Sequence, residues 1–145
     1  MNQDMKQKNI VLLAANGQVG IELSIYLQTF DDVSVIAVVR SEYSATLLKK
    51  LGIDYICGNI SDSEKIQNII LNADLVFDLA APNRGFIKEI KNFYKRRLTN
   101  VFKYMKPGAS FVFASTQAAF GYKEPLYPYL KYYFFPRSVY AANKR

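Results

Sequence analysis

Residues 9–27, N-I-V-L-L-A-A-N-G-Q-V-G-I-E-L-S-I-Y-L, narrow the fold more than any other stretch. The unbroken apolar run at 10–13 predicts a strand buried on both faces, as central strands of parallel sheets are. Gly17 and Gly20 then close a turn, and Val19, Leu23 and Leu27 recur at helical spacing. Strand, glycine turn and helix in that order form an anion-binding unit. A glycine at 17 lets the backbone approach a pyrophosphate, and one at 20 lets the helix pack closely on the strand. The helix N-terminus offers unpaired N–H groups to the anion. The candidate contacts in this unit are Ala14, Asn16, Gly17, Gln18, Val19 and Gly20. In a G-x-x-G-x-x-G arrangement the first position falls on Ala14, and a tight strand-to-helix turn also suits any α/β protein. This stretch alone leaves both readings open.

Twenty residues past Gly20 stands Arg40, closing the next apolar run at 33–39. The adenosine ribose of a dinucleotide is read at about this distance, and a basic residue there suits a 2′-phosphate. With Arg40 and Ser41 where NAD-selective dinucleotide-binding proteins carry an acid, NADP(H) is expected in preference to NAD(H).

The remaining chain repeats the alternation. A first helix is predicted over 19–29 and a second strand over 33–39. A short helix follows over 44–51, with Leu47, Leu48 and Leu51 inward and Gly52 as a left-handed stop. A third strand covers 53–57. Ser61-Asp62-Ser63-Glu64 offers a capping box for a helix that turns Ile66, Ile69 and Ile70 inward. A fourth strand at 75–79 runs into Ala80, Ala81 and Pro82. A long basic helix then ends before Pro107-Gly108, and a fifth strand occupies 110–114. Five short apolar strands alternating with helices predict an α/β, doubly wound, Rossmann-like parallel sheet. Right-handed crossovers with one switch of direction give the order 3-2-1-4-5. The ligand crevice then lies between Gly17 and Ala80-Ala81, at the C-terminal ends of strands one and four. From 115 onward the chain is crowded with aromatics and prolines, which reads as a loop over the crevice with a helix beginning near Val139.

The 145 residues suit one domain with a real core. No apolar run reaches the length of a membrane span, and the polar start is followed by too short a run for a signal peptide. Cys57 is the only cysteine and histidine is absent. A disulfide framework, a Cys/His zinc site and histidine-based catalysis are thereby excluded, and the expected compartment is the cytoplasm. The net charge of +7 is concentrated in one segment. Arg84, Lys88, Lys91, Lys95, Arg96, Arg97, Lys103 and Lys106 stand there against Glu89 alone, and elsewhere the charges cancel. Such a stripe could face nucleic acid. Phe86, Ile90, Phe93, Tyr94, Leu98, Val101, Phe102 and Met105 share the segment at helical spacing, however. A surface helix with an apolar inner face and a solvated basic outer face is the favoured reading.

Without histidine, the available acid/base is a tyrosine whose pKa, ordinarily about 10, is lowered by a nearby cation. Tyr140 and Lys144 are four apart and share a helix face. Tyr127 and Lys131 have the same spacing but enclose Pro128 and lie closer to Thr116.

The chain resembles the extended short-chain dehydrogenase/reductases, the NAD(P)-dependent epimerases and dehydratases of nucleotide sugars. Residues 11–20 are similar to the family's glycine turn, with Ala14 in place of the first glycine. Gly58-Asn59-Ile60 resembles its G-D-[LI], with Asn59 for the aspartate that usually meets adenine, and Leu79-Ala80-Ala81 resembles its L-A-A. Asn92 falls where the family's long helix has an asparagine. The stretch from Phe111 through Ser115 and Thr116 to Phe120-Gly121 is similar to the segment bearing the catalytic Ser/Thr. Tyr140-Ala141-Ala142-Asn143-Lys144 looks like its Y-x-x-x-K.

The resemblance implies that Tyr140 exchanges a proton with a substrate hydroxyl or carbonyl while Thr116 holds the same oxygen. It also implies that Lys144 lowers the Tyr140 pKa and binds the nicotinamide ribose. Arg40, Asn59, Ile60, Leu79, Ala80, Ala81 and Ser115 join the glycine turn in holding NADP or NAD. The substrate is a small molecule, with a nucleotide sugar as the family's example. Gln117 and Ala118 stand where the dehydratases carry an Asp-Glu pair, so epimerase or reductase chemistry is favoured over dehydration. Family members continue into a substrate domain beyond this motif. The whole chain therefore reads as the incomplete dinucleotide-binding part of a longer enzyme, expected to bind dinucleotide weakly with little turnover. Uncovered apolar surface would favour self-association, a homodimer included. The alternatives are a non-catalytic dinucleotide-binding module and, on charge alone, a nucleic-acid binder.

Overall fold

Residues 10–13 lie in β1 (Lys8–Leu13), and their side chains alternate between two separate cores. Ile10 and Leu12 join one, with Val35, Ala37 and Val39 of β2 (Val33–Val39), Leu48 of α2 (Thr46–Lys50) and Ile53. Val11 and Leu13 join the other, with Ile66 and Ile70 of α3 (Glu64–Asn72), Val76 of β4 (Leu75–Asp78) and Val101 of α4 (Ile87–Tyr104). A strand covered on both sides has no polar face to show, which is why its sequence reads as one apolar run. The computed structural model describes residues 7–59, 64–80 and 87–114.

With α1 (Gln18–Leu27), β3 (Tyr55–Cys57) and β5 (Ser110–Phe113), the elements form a five-stranded sheet in the order β3-β2-β1-β4-β5. Every pairing is parallel. The expected topology therefore holds, with β1 between β2 and β4. The third, fourth and fifth strands are shorter than their apolar runs. Ile53 is buried ahead of β3, and Leu79 and Ala114 continue bonding to the neighbouring strand from outside β4 and β5. Gly52 takes φ 67 and ends α2 as expected. Of the three leucines assigned to the inner face of that helix, only Leu48 is buried; Leu47 and Leu51 are exposed, because five residues offer a single inward position. Ile66 and Ile70 are buried in α3, with Ile69 packed beside them. The proposed cap residues 61–63 lie outside the described residues.

The rotation of α1 differs from the spacing of its large apolar residues. Val19 is 63% exposed, whereas Gly20 and Ser24 are buried and Ile21, Leu23 and Leu27 pack beside them. A Cβ on Gly20 would stand 2.5 Å from the Ala15 carbonyl oxygen and 2.6 Å from its Cα. The helix thus touches the strand–helix turn through the smallest residue available. Ser24 follows one turn later and donates its hydroxyl to the Gly20 carbonyl at 2.7 Å, so it meets the sheet without an unmet polar group. Small residues set the closest approach here, with Gly20 at the contact as expected and Ser24 beside it.

Ala14, at the end of β1, takes φ 60, the only positive φ of a non-glycine residue among the described residues. Alanine therefore holds the left-handed conformation that glycine adopts without strain, which costs an L-residue about 1–2 kcal/mol. Opposite effects are expected at the two ends of the turn. Gly20→Ala should destabilise by about 2 kcal/mol through overpacking against fixed backbone. Ala14→Gly should stabilise by about 0.5–1 kcal/mol, the relieved strain being partly offset by a looser unfolded chain. Denaturant unfolding of the two variants measures both, and equal behaviour would contradict the geometry.

Candidate dinucleotide-binding site

The parallel register brings four strand ends to one edge of the sheet. Leu13 stands opposite Val38 on one side and Asp78 on the other. The Ala15 N–H donates to the Val38 carbonyl at 3.2 Å and the Leu79 N–H to the Leu13 carbonyl at 3.1 Å. The Gly58 N–H donates to the Val39 carbonyl at 2.8 Å. Ala14 to Gly20, Arg40, Asn59 and the Leu79-Ala80 pair therefore all follow the C-terminal ends of neighbouring strands. Crossovers on opposite faces diverge between β1 and β4, and the gap they leave is where open α/β sheets take ligands.

Gly17 is the N-cap of α1, with extended φ −82 and ψ 166 and no side chain closing the helix end. A Cβ built on it meets nothing within 4 Å. Among the described residues, packing requires glycine at 20 but leaves open space at 17. Asn16, Gln18 and Val19 are exposed around it. The exposure that removes Val19 from the inner face leaves it on the rim of this opening. Arg40 is exposed immediately after β2, and Asn59 is exposed two residues after β3.

Leu79 and Ala80 are held by a group of side chains that the sequence did not announce. Asp78 and Arg97 are both fully buried. The Arg97 Nε and Nη2 donate to Asp78 Oδ2 at 3.1 and 2.7 Å, and the Ala80 N–H donates to Asp78 Oδ1 at 3.1 Å. The guanidinium lies 4.5 Å from the centre of the Tyr94 ring, whose hydroxyl donates to the Ala80 carbonyl at 3.5 Å. Arg97 therefore does not belong to the solvated basic face expected of α4, where Lys95, Arg96 and Lys103 are exposed. Phe102 also departs from its expected inward place: it is 57% exposed and meets Phe111 edge-on at 4.8 Å. A charge within a basic stripe gives no sign of burial until its acid, nineteen residues earlier, is placed beside it.

A second group joins the loop after β2 to β3. Glu42 accepts from the Tyr55 hydroxyl at 2.8 Å and from the Cys57 thiol at 3.2 Å. These bonds, the thiol's first and then the phenol's, hold the Glu42 pKa below the ordinary carboxylate value. Burial, and then its bond to Glu42, push the Cys57 thiol up, and the Tyr55 phenol is raised first by its own bond to Glu42. Cys57 is therefore placed as a neutral donor.

Ile60, Ala81, Ser115, Thr116, Tyr140 and Lys144 lie outside the described residues, so the geometry covers the dinucleotide side of the expected site. Among the described residues no group of three or more His, Cys, Asp or Glu could hold a metal, and no helix is long and apolar enough to cross a membrane.

The sequence model of the NAD-dependent epimerase/dehydratase family matches residues 10–145. The chain belongs to that family. Solved structures share this epimerase-like fold. UDP-glucuronic acid 4-epimerase from Bacillus cereus, in complex with NAD, is 19% identical with a TM-score of 0.69 over 94% of this chain. Pen from Bacillus thuringiensis is 27% identical with a TM-score of 0.68 over 98% of this chain. A short-chain dehydrogenase/reductase superfamily protein from Agrobacterium tumefaciens, with bound NAD, is 19% identical with a TM-score of 0.67 over 94% of this chain. The chain spans less than half of their lengths, 48%, 43% and 42% respectively. No curated protein sequence matches it.

In this member of the epimerase family the Asp78–Arg97 pair should be indispensable as a pair and replaceable as a unit. Arg97→Met alone should cost about 3–5 kcal/mol, because it leaves a buried carboxylate without its cation. Combining it with Asp78→Leu should recover part of that loss, since a buried pair contributes little net stability over apolar groups of similar size, while the Ala80 N–H loses its acceptor. A double-mutant cycle of unfolding free energies tests this, and additive losses would contradict it.

Proposed function

We propose that the chain is the dinucleotide-binding part of an NAD(P)-dependent oxidoreductase of the epimerase or reductase type. The observation that carries this reading is the opening at Gly17, where none of the described residues comes within 4 Å of a built Cβ. A pyrophosphate there would receive N–H groups at an uncapped helix end and the favourable end of its dipole. Arg40 would hold the 2′-phosphate of NADP(H), with Asn59 and Ile60 on the adenine side. Leu79, Ala80, Ala81 and Ser115 would line the path toward the nicotinamide, beside Ala14 to Gly20.

The chemistry proposed for the other end rests on residue types. When bound, the dinucleotide would supply hydride acceptance and donation at a substrate carbon. Tyr140 would take the proton of the substrate hydroxyl as that carbon is oxidised and return it on reduction. Lys144 would favour the phenolate by its charge and bind the nicotinamide ribose, while Thr116 would donate a hydrogen bond to the same substrate oxygen. Family membership supports this class of reaction, and Gln117 and Ala118 favour it over elimination of water. A related fold has been solved with UDP-glucuronic acid and NAD, so a nucleotide sugar is the first substrate class to offer.

NADPH should bind more tightly than NADH, and Arg40→Ala should weaken NADPH about tenfold while leaving NADH nearly unchanged, as loss of one charge-assisted phosphate contact requires. Fluorescence titration of both cofactors checks this, and equal wild-type affinities would remove the role given to Arg40. With a panel of nucleotide sugars, any turnover should vanish in Tyr140→Phe. Binding without turnover would instead favour a dinucleotide-binding module.

A further inference from the structure

The Glu42 carboxylate stands two residues beyond Arg40, on the loop that the proposed reading gives to the cofactor's 2′-phosphate. An acid so near an anion site opposes the arginine beside it, because like charges a side chain apart repel appreciably even at a protein surface. Although exposed, it has two partners on β3. Tyr55 and Cys57, two residues apart on β3 and therefore on one face of the sheet, both donate to it, one to each carboxylate oxygen. With both donors on β3, the carboxylate is drawn over that strand, on the side of the sheet edge remote from β1. Tyr55 and Cys57 themselves pack against the core that holds Val39 and Ala45, so neither donor is a freely swinging surface group.

We infer that Glu42 is a specificity-determining residue held in check: Tyr55 and Cys57 tether its carboxylate to β3 and so keep it from opposing a 2′-phosphate at Arg40. The tether is a positioning device for cofactor choice. It rests on the dinucleotide reading above but adds to it a residue pair that need not touch the ligand. It also accounts for an acid that would otherwise weaken the Arg40 site.

The test removes the donors and keeps the acid. Tyr55→Phe with Cys57→Ala leaves Glu42 charged but untied. The dissociation constants of NADPH and NADH are then titrated against wild type, this double variant, and the triple variant that adds Glu42→Ala. Releasing the carboxylate should weaken NADPH about fivefold and NADH less than twofold. Adding Glu42→Ala should return the NADPH/NADH ratio to the wild-type value or beyond. Replacing Cys57→Ala by Cys57→Ser keeps a donor at that position and should retain part of the preference, which also guards against a cavity effect. An unchanged ratio in the double variant overturns the inference. So does a loss of preference that persists in the triple variant, since the loop rather than the acid would then be responsible. A wild-type chain that binds neither dinucleotide overturns the underlying reading and this one together, whereas normal binding with an insensitive ratio overturns this one alone.

Discussion

The distance between α1 and the turn that precedes it governs much of the molecule. A helix that follows a central strand must lie over that strand's neighbours, and it can approach only as closely as its innermost side chain allows. Here that side chain is a hydrogen atom. Gly20 lies against the Ala15 backbone where a methyl group would have to displace a carbonyl. This contact fixes the rotation of α1, places Ser24 beneath it and turns Val19 outward. It also holds the first turn of the helix beside the end of β1, where the Ala15 N–H is bonded to β2. The placing of the open helix end at Gly17 is thus a by-product of close packing three residues later.

Two further restraints converge on the same sheet edge, and both use charge. The Asp78–Arg97 pair ties the segment after β4 to α4 inside the protein, where water cannot compete. The Glu42 bonds tie the loop after β2 to β3 at the surface, where water can compete. The glycine turn is therefore flanked by one rigidly buried restraint and one exposed restraint. The stiff side is where the nicotinamide would lie and the softer side is where the adenosine would lie.

The strand order was legible because the signal for a doubly buried parallel strand is local: four consecutive apolar residues at 10–13 and comparable runs at 33–39 need no partner to be recognised. Gly52 was legible for the same reason, as was the inward face of α3. What the sequence hid depends on partners far along the chain. Arg97 reads as one more solvated cation until β4 brings Asp78 to it, and Glu42 reads as a loop acid until β3 presents Tyr55 and Cys57. On α1 the close approach at Gly20 and the packing of Leu23 and Leu27 were legible, whereas Val19 is exposed and the buried Ser24 carried no signal in the hydrophobic periodicity. On the site itself, the glycine turn, Arg40, Asn59 and the Leu79-Ala80 segment could be assigned to one edge from topology alone. Thr116, Tyr140 and Lys144 rest on motif and spacing.

The division of β1 between two cores bears on how the chain assembles. Lys8 meets Val33 in β2 across 25 positions, but Ile10 meets Leu75 in β4 across 65. Closing the longer loop costs about 0.8 kcal/mol more in chain entropy, a small difference beside the fact that β4 must exist before it can pair. During synthesis from the N-terminus, the half containing Leu12, Ala37 and Leu48 can therefore condense while Val11, Leu13 and Val38 still face water. The waiting face is a strip of branched aliphatic side chains on two paired strands. Until α3 and β4 have been made, no later segment of the chain is available to cover that strip.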